Sequence, residues 1–223
     1  MEIAELIIFI TEVIGTVAFS VSGALVAIDN GLDFFGVVFI GCTTAVGGGI
    51  IRDIMLGSVP PAAFVNPYPM LIAAIASIAV FVIAYALRDR YIHLRTRVDV
   101  VNNIFDALGL ASFAVIGTES AITAGYIENA LFCVSLGTVT CIGGGMLRDV
   151  MTNSTPYVLK KHIYALASIA GCMLYLWLSR CELHPLIPTL SAMTLVFSIR
   201  MLATVFRWSL PKIRTAEEPA KNN

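Results

Sequence analysis

Charge is scarce in this chain. Asp, Glu, Lys and Arg make up 13% of its 223 residues, about half the ~25% usual in a soluble domain. Histidine is scarcer still, with three copies, none in the middle of an apolar block and none in an HExxH spacing. GxSxG and GxxxxGK[ST] are missing as well, so there is neither a nucleophile elbow nor a nucleotide-binding loop that could power a pump. The five cysteines contain no CxxC pair. Cys42, Cys133, Cys141 and Cys172 sit in apolar blocks and Cys181 at a connection, which reads as small buried hydrophobes rather than a disulfide or metal framework. The opening Met1-Glu2-Ile3-Ala4-Glu5 lacks the basic region of a secretory signal. A net charge of -1, with the charges mostly in connections and tail, gives no footprint for nucleic acid. No enzyme activity, cofactor, metal or nucleic-acid partner is expected.

What the chain has is apolar length. Hydrophobic residues make up 58% of it, and the mean hydropathy is +0.86. Apolar blocks fall at about 6–28, 34–57, 69–87, 101–124, 129–151, 162–179 and 186–206. Each can cross a hydrocarbon core of ~30 Å at ~1.5 Å per helical residue. Lys and Arg set the orientation. In a seven-span reading, Arg88, Arg90, Arg95 and Arg97, then Lys160 and Lys161, then Arg207, Lys212, Arg214 and Lys221 share one side. They are ten of the fourteen basic residues, against Arg180 alone opposite. The N-terminus is therefore expected outside and the C-terminus in the cytoplasm.

The chain also repeats itself. Gly47-Gly48-Gly49-Ile50-Ile51-Arg52-Asp53-Ile54-Met55-Leu56-Gly57-Ser58-Val59-Pro60 returns 96 positions later, from Gly143 to Pro156, sharing the pattern GGGxxRDxMxxSxP. Glu12, Gly15, Phe19, Val21 and Gly23 match Asp106, Gly109, Phe113, Val115 and Gly117 at an offset of 94. Ala76-Ser77-Ile78-Ala79 matches Ala167-Ser168-Ile169-Ala170 at an offset of 91. Each repeat holds three spans. Three is odd, so the second copy enters the membrane from the opposite face, an arrangement associated with transport sites near the midplane. The expected fold is an all-α integral membrane protein of seven transmembrane helices: two inverted three-helix repeats (5–87 and 101–180), a cytoplasmic charged loop (88–100) between them, a seventh helix (186–206) and a cytoplasmic tail (207–223).

The chemistry concentrates at the doubled motif. Triple glycine is costly in a helix. Its use at Gly47, Gly48 and Gly49 and again at Gly143, Gly144 and Gly145 is expected to break the second and fifth helices and line a path with free backbone carbonyls. Close packing of unbroken helices is the alternative. Arg52 and Arg148 need partners within a membrane. Adjacent Asp53 and Asp149 point to other helix faces. Glu12 and Asp106 lie at about the depths of the two arginines and are the expected partners, as gates or as braces; snorkelling to headgroups is the alternative. Ser20, Ser22, Thr43, Thr44, Ser112, Thr138 and Thr140 are further candidates to line a polar path. Lys160 and Lys161 are candidates to meet lipid headgroups.

Inverted three-span repeats, a seventh span and GGGxxRD in the second and fifth spans resemble the trimeric intracellular cation (TRIC) channel family. The closer likeness is to its bacterial and archaeal branch, also labelled a glycine transporter domain. Pro60-Pro61 and the stretch from Val158 to Ala165 fit that branch, and the resemblance runs over residues 5–206. It implies a homotrimer in a prokaryotic inner membrane. Each subunit would carry its own pore for monovalent cations such as potassium, lined by helices kinked at Gly47–Gly49 and Gly143–Gly145. Animal members bind phosphoinositide through a basic motif that Arg148 matches only in part, and their long charged tail is missing here. A secondary transporter of a small solute such as an amino acid is the other functional class the repeats allow, and a membrane assembly protein with glycines for packing alone is a third.

Overall fold

The computed structural model describes residues 3–88, 95–160, 163–181, 183–206 and 208. Among these the chain forms α1 (Ile3–Asp29), α2 (Phe34–Met55), α3 (Ala62–Val65), α4 (Tyr68–Ala86), α5 (Arg95–Ala121), α6 (Ala130–Met151), α7 (Tyr157–Lys160), α8 (Ile163–Ser179) and α9 (Leu186–Val205). A π-turn, Ile122–Tyr126, ends α5 and carries Gly125 at φ 90°. Six helices are long and apolar enough to cross a membrane, and α8, also apolar, is shorter. The seven apolar blocks of the sequence fall on α1, α2, α4, α5, α6, α8 and α9. The charged connection departs from expectation. Residues 95–100 are not loop but the first turns of α5, because the helix continues past the apolar block into polar residues. Arg90, Lys161, Arg207, Lys212, Arg214 and Lys221 lie outside the described residues, as do the side chains of Arg95, Arg97 and Lys160.

Local signals open the helices as their residues dictate. The Asp33 carboxylate accepts from Gly36 N–H at 2.8 Å, and the Asn129 side chain accepts from Phe132 N–H at 3.1 Å. Both occupy an N-cap, where a side-chain oxygen serves a helix donor left over.

Packing follows the duplication. α1 packs against α2 and α4 as α5 packs against α6 and α8, and the halves meet where α1 crosses α5 and α2 crosses α6. α9 packs against α5 and α8. At the α1–α5 crossing the rings of Phe19 and Phe113 stack 5.3 Å apart. Phe19 lies over Gly109 and Phe113 over Gly15, each where a Cβ would collide with the ring. At the α2–α6 crossing a Cβ on Gly48 would strike the Thr140 carbonyl oxygen, and one on Gly144 the Thr44 carbonyl oxygen.

This corrects the expected break. α2 is regular helix through Gly47, Gly48 and Gly49, and α6 through Gly143, Gly144 and Gly145. Positive φ among glycines occurs at Gly31, Gly57 and Gly125 instead. No backbone carbonyls are released. The glycines let two helix backbones touch, which repays part of their propensity cost through dispersion and close packing.

Candidate functional site

The doubled motif is a helix-ending cassette. After α2, Gly57 adopts φ 73°; after α6, its counterpart Asn153 adopts φ 52°. Gly57 N–H donates to Ile54 and Ser58 N–H to Asp53, at 3.1 and 2.8 Å. Asn153 N–H donates to Val150 and Ser154 N–H to Asp149, at 3.0 and 2.7 Å. These are the paired bonds of a Schellman cap, which satisfy carbonyls at a helix C-terminus. The chain then returns, and the same aspartates catch it. Asp53 accepts from Ala62 N–H and Asp149 from Tyr157 N–H, both at 2.8 Å, at the first residues of α3 and α7.

Their other oxygens hold the arginines. Arg52 Nε lies 2.9 Å from Asp53 Oδ1, and Arg148 Nε lies 2.8 Å from Asp149 Oδ1. The expectation that neighbours on different helix faces would not pair is corrected here, because the long arginine side chain folds back across the helix end. Sequence spacing alone measures where Cβ atoms point, not how far six rotatable atoms reach.

Beyond this shared cassette the two halves differ. In the second half Arg148 is fully buried. Its Nη1 donates to Asp106 Oδ1 at 2.9 Å and to Ser22 Oγ at 2.7 Å, and Ser22 donates onward to Asn102 Oδ1 at 2.7 Å. The Tyr157 ring covers its guanidinium at 5.7 Å. Arg200 of α9 approaches the other Asp106 oxygen at 3.5 Å and lies over the Tyr164 ring at 4.6 Å. In the first half, Arg52 and Glu12 form no direct ion pair among the described residues, which corrects the second expected pairing. Both instead line a cavity of about 290 Å³, with Thr16, Asp53, Asn66 and Ser120.

Side-chain size accounts for the difference. Tyr157 and Tyr164 fill the second site. Their counterparts in the first half are Ala62, at the same hydrogen bond to its aspartate, and Ala73, at the offset of 91 that relates α4 to α8. Arg200 comes from α9, which has no counterpart in the first half.

A second cavity of about 250 Å³ opens at the Asp29 end of α1. Asp29, Asp99 and Asp149 line it with Asn30 and Asn102, and its described lining contains no Lys or Arg. Along α1, Ile8, Glu12 and Thr16 face the first cavity and Val26 and Asp29 the second, with Asn30 just past the helix end. Phe19, Ser20, Ser22 and Gly23 are buried between them. Thr16 and Val26 are ten residues apart, about 15 Å of helix. The stacked Phe19–Phe113 pair and the Arg148–Ser22–Asn102 network fill that interval.

Several hydroxyls singled out in the sequence are occupied locally. Thr44 donates to Ile40 and Thr140 to Leu136, each at 2.6 Å, the usual back-bond of a helix hydroxyl. Ser20 bonds the Ala73 carbonyl and Ser77. Ser112 Oγ is buried without a partner. Arg200 was legible only as a base within the last apolar block, and its convergence on Asp106 depends on packing that the sequence does not display. Among the described residues no cluster of His, Cys, Asp and Glu could hold a metal ion.

The family model described as glycine transporter matches the chain twice, over residues 9–85 and 103–180. The chain belongs to this family, that of the TRIC channels. The Escherichia coli inner membrane protein YadS is 32% identical over 205 residues, covering 92% of this chain and 94% of that one. The Bacillus subtilis membrane protein YvgT is 32% identical over 205 residues, covering 90% and 93%. Among solved structures, a prokaryotic TRIC channel in 0.5 M KCl superposes with a TM-score of 0.82 at 32% identity, covering 92% of this chain and all of that one. The TRIC orthologue from Rhodobacter sphaeroides gives 0.80 at 28% identity, covering 91% and 99%. A TRIC cation channel solved for the basis of its conductance gives 0.78 at 33% identity, covering 95% and 98%. The fold is that of the TRIC channels, and these neighbours are channels, not enzymes.

Proposed function

We propose that the protein conducts monovalent cations, potassium among them, through a path within each subunit. The charge of the first cavity carries this reading. The first has two carboxylates, Glu12 and Asp53, against one base, Arg52. The second is lined by Asp29, Asp99 and Asp149, the last of them held by Arg148. Carboxylates in low-dielectric clefts concentrate cations and repel anions. The path would run from the Glu12 cavity past Phe19 and Phe113, between α1, α2, α5 and α6, to the Asp29 cavity. The Arg148–Asp106 pair beside that route would make this a closed state. Seven membrane helices, α8 included, arranged as two inverted repeats would place the Glu12 cavity outside and the Asp29 cavity in the cytoplasm of a bacterial or archaeal cell, with the protein assembled as a homotrimer. Lys160 and Lys161 would meet lipid headgroups. The glycine triplets would act on conduction through the spacing of α2 and α6, not through exposed carbonyls.

Single-channel recording of the purified protein in planar bilayers, with potassium replaced in turn by sodium and by a large organic cation, tests the reading. Unitary potassium currents independent of a proton gradient support it. Saturable, proton-coupled uptake of an amino acid without unitary currents would replace it with a secondary transporter.

A further inference from the structure

Arg200, near the C-terminal end of α9, is buried, and its Nε and Nη2 have no hydrogen-bond partner. Buried donors are seldom left so, and a guanidinium less often than most. Tyr164 Oη, beside it, is unpartnered too. The guanidinium rests on the Tyr164 ring at 4.6 Å, and its Nη2 stops 3.5 Å from Asp106 Oδ2. That is close enough for an ion pair but longer than the ~2.9 Å of a formed hydrogen bond. Asp106 meanwhile gives Oδ1 to Arg148 at 2.9 Å. Two buried arginines thus face one carboxylate, one engaged and one waiting. The repeat underlines the point. Among the described residues, the cavity of Glu12, the counterpart of Asp106, is lined by no base besides Arg52, and α9 has no copy in the first half.

Taking the channel reading as its basis, we propose that Arg200 is a positioning residue for the closed-to-open change, a reserve counter-ion that closes onto Asp106 when Arg148 leaves it. Arg148 joins α6 to Asp106 on α5 and to Ser22 on α1, so it bridges three helices bordering the path. Without Arg200, withdrawing it would strand a buried carboxylate, which is a severe penalty on the open state. Arg200 removes that penalty by shifting a short distance from the ring onto Oδ2, and there it gains the hydrogen bond it lacks. Arg148 in turn keeps Asp149, which moves with it on α6. The exchange leaves Asp106 with at least one base in both states, and Asp149 with Arg148 throughout. The helix outside the repeats therefore sets how readily the path opens without lining it.

Single-channel recording of the full-length protein in planar bilayers, comparing open probability with unitary conductance, is the test. Arg200→Gln should lower open probability tenfold or more at unchanged conductance, and Arg200→Lys should recover a large part of it. Loss of mere packing would not be rescued by a lysine and would not separate the two quantities. Tyr164→Leu, which removes the ring that holds Arg200 back, should raise open probability severalfold, and it decides the matter if Arg200→Gln does not assemble. Open probability unchanged or raised in Arg200→Gln, or unchanged or lowered in Tyr164→Leu, overturns the proposal while leaving the channel reading in place. Absence of unitary currents from the unsubstituted protein would overturn both.

Discussion

Arg148 reaches Asp106 at 2.9 Å, whereas its counterpart Arg52 turns to its own neighbour Asp53 and leaves Glu12 facing a cavity. One duplicated motif has thus been used for two purposes. Where tyrosines and a second base fill the space, the arginine is a buried tie between helices. Where alanines stand, the same residues border a cavity with an excess carboxylate.

The tie should be measurable. Breaking a buried ion pair by removing one member costs about 3–5 kcal/mol, because the other charge is stranded. Asp106→Asn and Arg148→Gln should each destabilise the detergent-solubilised protein, and the double variant should lose less than the sum of the two. A coupling of about 1 kcal/mol or more is expected from a double-mutant cycle on unfolding. Strict additivity would mean that the pair does not hold α5 to α6. The same cycle on Glu12→Gln and Arg52→Gln should show much weaker coupling, since those side chains share a cavity and not a bond.

The glycines divide by what they face. Gly48→Ala and Gly144→Ala each put a methyl group into a backbone carbonyl of the facing helix, which cannot move aside as a side chain could. Such overpacking costs typically ~1–3 kcal/mol or more, so thermal stability should fall in both. At Gly49 the nearest atom to an added Cβ is Arg52 Nη2 at 3.8 Å. Gly49→Ala should therefore be neutral, or gain up to about 1 kcal/mol in helix propensity. Equal effects at positions 48 and 49 would contradict the helix-crossing role.

The helix caps give a separate check. Asn153 and Gly57 both sit at positive φ. Asn153→Gly should leave the melting temperature unchanged or slightly higher. Asn153→Ala and Gly57→Ala should each lose about 1 kcal/mol, the cost of placing a Cβ in the left-handed region. No difference between Gly and Ala at position 153 would argue against the cap.

Much of this was legible in the sequence. The apolar blocks fell on the long helices because about twenty apolar residues have few other stable forms. The repeat offsets located Asp106 opposite Arg148, since equivalent positions share a depth. Three things were not legible. The glycine triplet implied either a break or a close crossing, and only the facing carbonyls of Thr44 and Thr140 decide between them. The i,i+1 pairing of Arg52 with Asp53 depends on an arginine folding back. The role of Arg200 depends on where α9 docks, and a helix outside the repeats has no second copy to compare with.

Orientation is open to a direct check. With ten basic residues assigned to one side, a reporter fused after Lys212 should be cytoplasmic, and one placed near Glu2 external. Finding both on one side would remove the inverted repeat from the proposal.

The most direct test of cation conduction is the reversal potential of the purified protein in a planar bilayer under a tenfold potassium chloride gradient. The excess carboxylate of the first cavity leads to a reversal close to the potassium equilibrium potential, about 59 mV in magnitude from RT/F at 25 °C. Glu12→Gln should move it toward zero by weakening the cation excess in the first cavity. A reversal at the chloride potential, or one that Glu12→Gln leaves unmoved near zero, would contradict a cation path through these two cavities.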